Sequence, residues 1–106
     1  MVTRGEVWLA RLDPTEGREI QKTRPCVIVS PPEIHDHLSI VMVAPMTTGS
    51  HAAAFRVPVV FRRKQGLILL EQIRALDKRR LIRRLGVVDD VTLAAMLAVL
   101  REMFAE

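Results

Sequence analysis

Leu38-Ser39-Ile40-Val41-Met42-Val43-Ala44 is the stretch that sets the fold class. It is rich in Val and Ile and stops at Pro45, which is the length and side-chain content of a strand rather than a helix. Pro45–His51 reads as the loop that follows. Upstream, Cys26–Ser30 is a second short β-rich run, bounded by Pro25 and by Pro31-Pro32. Proline at the first strand position is tolerated because its missing N–H need not break a ladder. Gly5–Leu12 reads as a strand with Val7, Leu9 and Arg11 on one face and Glu6, Trp8, Ala10 and Leu12 on the other. Asp13-Pro14-Thr15-Glu16-Gly17 is turn chemistry, and Arg18–Arg24 an exposed polar loop.

Downstream, Phe55–Phe61 is a strand, and Pro58 within it marks an edge or a bulge. Gly66 opens a further strand, Leu67–Leu76, and Arg83–Val88 is a last short one. The period then changes. Leu93, Met96, Leu97, Leu100, Met103 and Phe104 follow the three-and-four spacing of a helix face. Asp89 and Asp90 stand at its start, where a cap and the helix dipole favour acids. No repeat or Gly/Ser linker divides residues 1–106, so the expectation is one domain, mainly β with a C-terminal α-helix, in the form of a small barrel.

Aromatic residues are only 4% of the chain, so the core must come from Val, Leu, Ile, Ala and Met. A core of this size leaves a thin stability margin, which favours a homodimer. Lys and Arg number 16 against 12 Asp and Glu, a net charge of +4. That suits a polyanionic partner and equally suits plain solubility. The single cysteine, Cys26, excludes an intramolecular disulfide and fits a reducing compartment. No apolar leader stands at Met1–Glu6. The apolar run Leu93–Leu100 is far short of the roughly 18–20 residues that span a bilayer. The expected location is cytoplasmic.

Three segments carry the chemistry: Asp13-Pro14-Thr15-Glu16-Gly17-Arg18-Glu19 with Lys22-Thr23-Arg24-Pro25, then Val43-Ala44-Pro45-Met46-Thr47-Thr48, then Leu69-Leu70-Glu71-Gln72-Ile73-Arg74-Ala75-Leu76-Asp77. In order and spacing, from Arg4-Gly5-Glu6-Val7-Trp8 to the final helix, they resemble the MazF/PemK family of toxin–antitoxin toxins. The resemblance implies a small SH3-like β-barrel of the MazF/PemK/CcdB type. It implies a homodimer that cuts single-stranded RNA at short sequences without a metal or other cofactor. The RNA 2′-hydroxyl attacks the adjacent phosphate, leaving a 2′,3′-cyclic phosphate and a 5′-hydroxyl. Translation and growth stop, and a cognate MazE/PemI-like antitoxin, with an acidic and largely disordered segment, neutralises the toxin. The match sets Arg24 and Thr47 at the family's catalytic arginine and threonine. Glu19 falls on the loop position before them. Gln72 falls in the matching strand segment near the RNA path, and Lys22, Thr48 and Arg74 are further candidates for RNA contact.

The residues support this to different degrees. A guanidinium at Arg24 can meet two phosphoryl oxygens of a transition state that gains negative charge there. Read alone, Arg24 is more readily a solvated arginine at a loop end. Thr47 can donate its hydroxyl to phosphate; read alone, it is a turn threonine bonded to its own backbone. An arginine stays protonated, so the base lies elsewhere. Glu19 is one choice, unless it only orients Arg24. His51, four residues past Thr47, is chemically suited but reads as a surface histidine. Gln72 and Arg74 share a strand face if no bulge intervenes, either as RNA contacts or as an exposed polar face. His35-Asp36-His37 lacks further ligands in an exposed loop and is a weak metal signal. Cys26 reads as packing. Arg62-Arg63-Lys64 lies beside the site loops and can track RNA backbone. Lys78-Arg79-Arg80 and Arg83-Arg84 read as solvated faces. Trp8, Phe55, Phe61 and Phe104 read as core.

One departure stands out. Some family members carry a catalytic arginine where this chain has Leu69, which throws more of the work on Arg24, or on Arg74 nearby. Two rival readings share the fold: a CcdB-like DNA gyrase poison that does not cut RNA, and a non-catalytic RNA-binding protein. The Arg24/Thr47 pair favours the nuclease, because gyrase poisons of this type act through the C-terminal helix, and Arg101-Glu102-Met103-Phe104-Ala105-Glu106 does not look like their ending.

Overall fold

A computed structural model describes residues 1–12, 17–19 and 22–106 of the chain. The part of the expected turn at 13–16, and residues 20–21 of the polar loop, lie outside the described residues. The strands are β1 (Glu6–Arg11), β2 (Thr23–Ile28), β3 (Ile40–Thr47), β4 (Arg56–Phe61), β5 (Lys64–Leu69), β6 (Arg74–Asp77) and β7 (Leu81–Val87). The helices are a single turn, α1 (Pro32–His35), and the C-terminal α2 (Asp90–Met103). The sheet runs β4-β5-β3-β2-β1-β7, with β6 also paired to β3. Pro58 sits exposed on β4, an edge of this order, as its missing donor requires.

The central strands explain the near-continuous apolar runs. On β2, Val27 packs into one buried cluster with Val7, Ala44, Met46, Ile68 and Met96, while Cys26 and Ile28 pack into a second with Ala10, Leu12, Val41, Val43 and Leu76. A strand covered on both faces has no polar row to display. The helix closes the first cluster through Met96, which is fully buried; truncating such a side chain to Ala costs about 2–5 kcal/mol. Asp89 caps the helix, its carboxylate accepting the Thr92 N–H at 2.7 Å.

The two ends of the sheet meet. Phe61, last on β4, lies against Gly86 of β7, where an added Cβ would stand 3.1 Å from the ring. Arg62 Nη2 donates to the Leu85 carbonyl at 2.6 Å. The sheet therefore curls on itself into the small barrel expected.

Several sequence expectations need correction. The two faces of β1 are not among them: Val7 joins the first cluster, while Ala10 and Leu12, with Trp8 packed beside them, join the second. Register shifts against β7 between Val7 and Trp8 and between Leu9 and Ala10 mark bulges in that pairing. β2 begins at Thr23 because Thr23–Pro25 pair with Leu9–Arg11 of β1, and β3 runs on to Thr47 because Met46 and Thr47 pair with Ile68 and Leu67 of β5. The expected strand Leu67–Leu76 is two strands parted by a 3₁₀ turn at Leu70–Gln72. β3 pairs with β5 at Met46–Thr47 and with β6 at Ile40–Val43, so the chain must step from one stretch of β3 to the other. The histidine loop is not all exposed: His35 is buried on α1, with Nδ1 2.9 Å from Ser30 Oγ, which also accepts the Met42 N–H. Phe55 and Phe104 are exposed rather than core.

Candidate active site

Where β2 and β3 leave the barrel centre, they meet the β4–β5 hairpin and β7 around a cleft of about 310 Å³. Its walls are Arg24 and Pro25, Met46, Thr47 and Thr48, Val59 and Phe61, Arg62, Lys64 and Gly66, and Leu85. Arg24 is not at a loop end. It is the second residue of β2, half-buried and paired with Ala10 of β1. Thr47 ends β3, opposite Leu67 of β5. The β2–β3 pairing ends at Cys26 and Pro45, and just beyond it on the same two strands Arg24 and Thr47 line the one cleft. A residue on a paired strand is held more rigidly than one on a loop, which suits a group that must meet charge without reorganising.

Thr47 Oγ1 accepts the Gly49 N–H at 3.2 Å. That bond orients the hydroxyl and uses an oxygen lone pair, so its proton can still be donated outward. Gly66 lets β5 come close here, since a Cβ on it would stand 2.8 Å from the Thr47 carbonyl oxygen. Of the cleft walls, Arg24, Arg62 and Lys64 are cationic, and no described wall residue is acidic. The floor from Pro25, Met46, Val59, Phe61 and Leu85 is apolar.

The remaining sequence-selected residues gather differently. Glu19, Gln72 and Arg74 line a second, smaller cleft of about 160 Å³ with Leu12, Pro45, Glu71 and Ile73. Consecutive residues of β3 serve the two clefts, Pro45 the second and Met46 the first. Glu19 is thus placed with Gln72 and Arg74, not with Arg24 and Thr47. Gln72 is on the 3₁₀ turn and Arg74 on β6, so they share a cleft but not a strand. Arg74 Nη1 donates to the Leu12 carbonyl at 3.1 Å. Arg56 binds Glu71 Oε2 through Nε and Nη2 at 2.9 and 2.6 Å and donates to the His51 carbonyl at 2.8 Å. It thereby ties the loop after Thr48 to the turn bearing Gln72. Lys22 is exposed just before β2 with φ +69° and lines neither cleft, while its carbonyl accepts the Leu12 N–H. His51 is exposed and also lines neither.

Cys26 stands next to the site but is buried, and that burial pushes its thiol up to about 12 against a smaller opposing pull from Arg74. A thiol held protonated is a poor nucleophile. Among the described residues, no three His, Cys, Asp or Glu gather as metal ligands. Among them too, no helix is long and apolar enough to cross a membrane. Phe61 packs against the first core cluster, as sequence reasoning expected, and its ring also lines the cleft, with the Arg62 guanidinium 5.7 Å above it. Only the closure of β4 onto β7 reveals that.

Comparison with known proteins bears on the family and the fold. The model of the PemK-like, MazF-like toxins of type II toxin–antitoxin systems matches residues 3–104. The chain is 38% identical over 96 residues to an endoribonuclease MazF from Staphylococcus epidermidis, covering 85% of this chain and 80% of that protein. It is 38% identical over 81 residues to an endoribonuclease PemK from Escherichia coli, covering 72% of this chain and 61% of that protein. Among solved structures, MazF from Deinococcus radiodurans superposes with a TM-score of 0.87 at 21% identity, over 99% of this chain and 97% of that one. A mycobacterial endoribonuclease in complex with its cognate antitoxin superposes with a TM-score of 0.81 at 22% identity, over 96% of this chain and 93% of that one. With the fold matched end to end and the family's sequence pattern running through nearly every element, the chain belongs to the PemK-like, MazF-like toxins of type II toxin–antitoxin systems.

Proposed function

We propose that this protein is an endoribonuclease toxin that cleaves single-stranded RNA in the cleft between β2, β3 and the β4–β5 hairpin. The observation that carries the reading is the placement of Arg24 and Thr47 on neighbouring strands in one cation-lined cleft. The two curated relatives are both named endoribonucleases.

In the proposed reaction the RNA 2′-hydroxyl oxygen attacks the adjacent phosphorus. The bond from phosphorus to the 5′-oxygen breaks, giving a 2′,3′-cyclic phosphate and a 5′-hydroxyl. The phosphoryl oxygens gain charge on the way. The Arg24 guanidinium meets two of them in one plane, and the Thr47 hydroxyl donates to one. Preorganised donors of this kind contribute several kcal/mol of barrier lowering. The attacking hydroxyl gives up its proton and the leaving oxygen takes one, both exchanged with solvent water. Thr48 holds the phosphate from the loop side. Glu19 takes a different task from the base role considered above. With Gln72 it reads the edge of a neighbouring base in the second cleft, a carboxylate accepting from a base amino group and an amide pairing both ways. Arg74 steadies that nucleotide, and Lys22 meets the strand as it enters.

The active species is proposed to be a cytoplasmic homodimer, with Phe55, Met103 and Phe104 supplying exposed apolar surface near the end of α2. Its activity arrests translation and growth and is neutralised by a MazE/PemI-like antitoxin whose acidic segment competes with RNA for the same cations. The test is incubation with labelled single-stranded RNA and its 2′-deoxy counterpart, both in EDTA. Cleavage of the RNA alone, with cyclic phosphate ends, is expected. Cleavage of the deoxy strand, or none of either, overturns the reading.

A further inference from the structure

The sharpest backbone anomaly in the described chain is at the tip of the β4–β5 hairpin. Phe61 pairs with Lys64, so the turn between them is only Arg62-Arg63. Both arginines have positive φ, +52° and +67°. Two-residue hairpin turns of this form are built from Asn-Gly or Asp-Gly, since residues with a Cβ are disfavoured in that region. Here the chain puts its longest cations where glycine serves stability best. Strain of this kind is informative when it coincides with a site, and it does. Arg62 and Lys64, which flank Arg63 in the chain, line the cleft that holds Arg24 and Thr47. Arg62 is anchored by its bond to the Leu85 carbonyl and by its place over Phe61, so it fixes the tip against β7. Arg63 and Lys64 are exposed beside it.

Resting on the endoribonuclease reading, we propose that Arg63 and Lys64 form a clamp for an RNA phosphate flanking the scissile one. The first phosphate lies against Arg24 and Thr47; the strand then crosses the cleft over the Phe61 side, and the next backbone charge reaches the hairpin tip. The clamp contributes to substrate binding and does not touch the reacting atoms. It carries no base preference, because a cation meets every phosphate alike. An acidic protein segment offers the same charge, but the tip shares its cleft with the proposed catalytic pair, which favours the RNA strand itself.

The test uses a mixed-sequence single-stranded RNA, 2′-O-methylated so that it cannot be cut, with binding followed by fluorescence anisotropy over a range of salt. Arg63→Gly should raise the melting temperature by a few degrees, because glycine suits the turn, yet weaken RNA binding several-fold. It should also lower the magnitude of the slope of log affinity against log salt by about 0.7, the loss of one phosphate contact on a single strand. Lys64→Gln should lower the slope likewise without altering the turn. A gain in melting temperature with the wild-type slope and affinity retained in both variants overturns the clamp and leaves the endoribonuclease reading intact. The clamp is likewise overturned if both variants bind RNA as the unaltered protein does and lose only an acidic peptide. Failure of the unaltered protein to bind the RNA at any salt overturns the endoribonuclease reading on which the clamp rests.

Discussion

Gly66 of β5 lies so close to Thr47 of β3 that a Cβ added to it would stand 2.8 Å from the Thr47 carbonyl oxygen. The contact is with backbone, which cannot swing away as a side-chain tip can. The strand pairing of Thr47 with Leu67, and with it the placement of the Thr47 hydroxyl, therefore depends on a residue without a side chain.

Gly66→Ala is expected to push β5 and β3 apart locally. Overpacking of this kind costs about 1–3 kcal/mol. Cleavage should fall by more than the loss of folded protein explains, because a small misplacement of a phosphate donor is costly. Thermal denaturation and a single-turnover cleavage rate on the same preparation check this. A variant that loses stability but cleaves at the wild-type rate would show that the approach of β5 does not position Thr47.

Arg24→Ala should leave the fold intact and reduce single-turnover cleavage by roughly 10²–10³-fold, the scale for removal of a preorganised donor. Arg24→Lys should recover only part of it, since an ammonium does not bridge two oxygens in one plane. Thr47→Ala should give a smaller loss. Circular dichroism serves as the folding control. Retention of the wild-type rate by a folded Arg24→Ala protein would remove Arg24 from the site.

Cys26 makes a prediction about pH. Burial raises its thiol from the ordinary 9.0 to about 12. Below pH 9 the thiol is protonated in both folded and unfolded chains, and its contribution is fully present. Between about 9 and 12 the unfolded chain ionises and the folded one resists, so stability is lost as pH rises, by up to about 1.4 kcal/mol per pH unit. Denaturant titrations of the wild type and of Cys26→Ala should diverge across that window, the alanine variant losing less. Iodoacetamide at pH 8 should modify the unfolded chain and spare the folded one. Rapid alkylation of the folded protein would contradict the burial assigned to Cys26.

The amino-acid sequence by itself determined the class of structure and singled out Arg24 and Thr47, the two residues on which the proposed function rests. The apolar runs around Val27 and Val43 and the helical spacing from Leu93 to Leu100 are local patterns, and local physics reads them. Asp89 announced the start of α2 for the same reason. The pattern from Arg24-Pro25 through Thr47-Thr48 was legible because order and spacing along the chain carry it. What required the tertiary structure was everything that depends on which strands meet. Arg24 and Thr47 belong to strands rather than loops because Arg24 pairs with Ala10 of β1 and Thr47 with Leu67 of β5, a gain in backbone hydrogen bonds that no local propensity expresses. The strand Leu67–Leu76 breaks because β3 offers its edge in two places. That break, together with the placement of Glu19, gives Glu19, Gln72 and Arg74 a cleft of their own. Phe61 becomes a cleft wall only when β4 closes onto Gly86, and the left-handed Arg62-Arg63 turn exists only because Phe61 and Lys64 are forced into register. Long-range pairing, which repays its entropy only when the whole sheet forms, decided each of these.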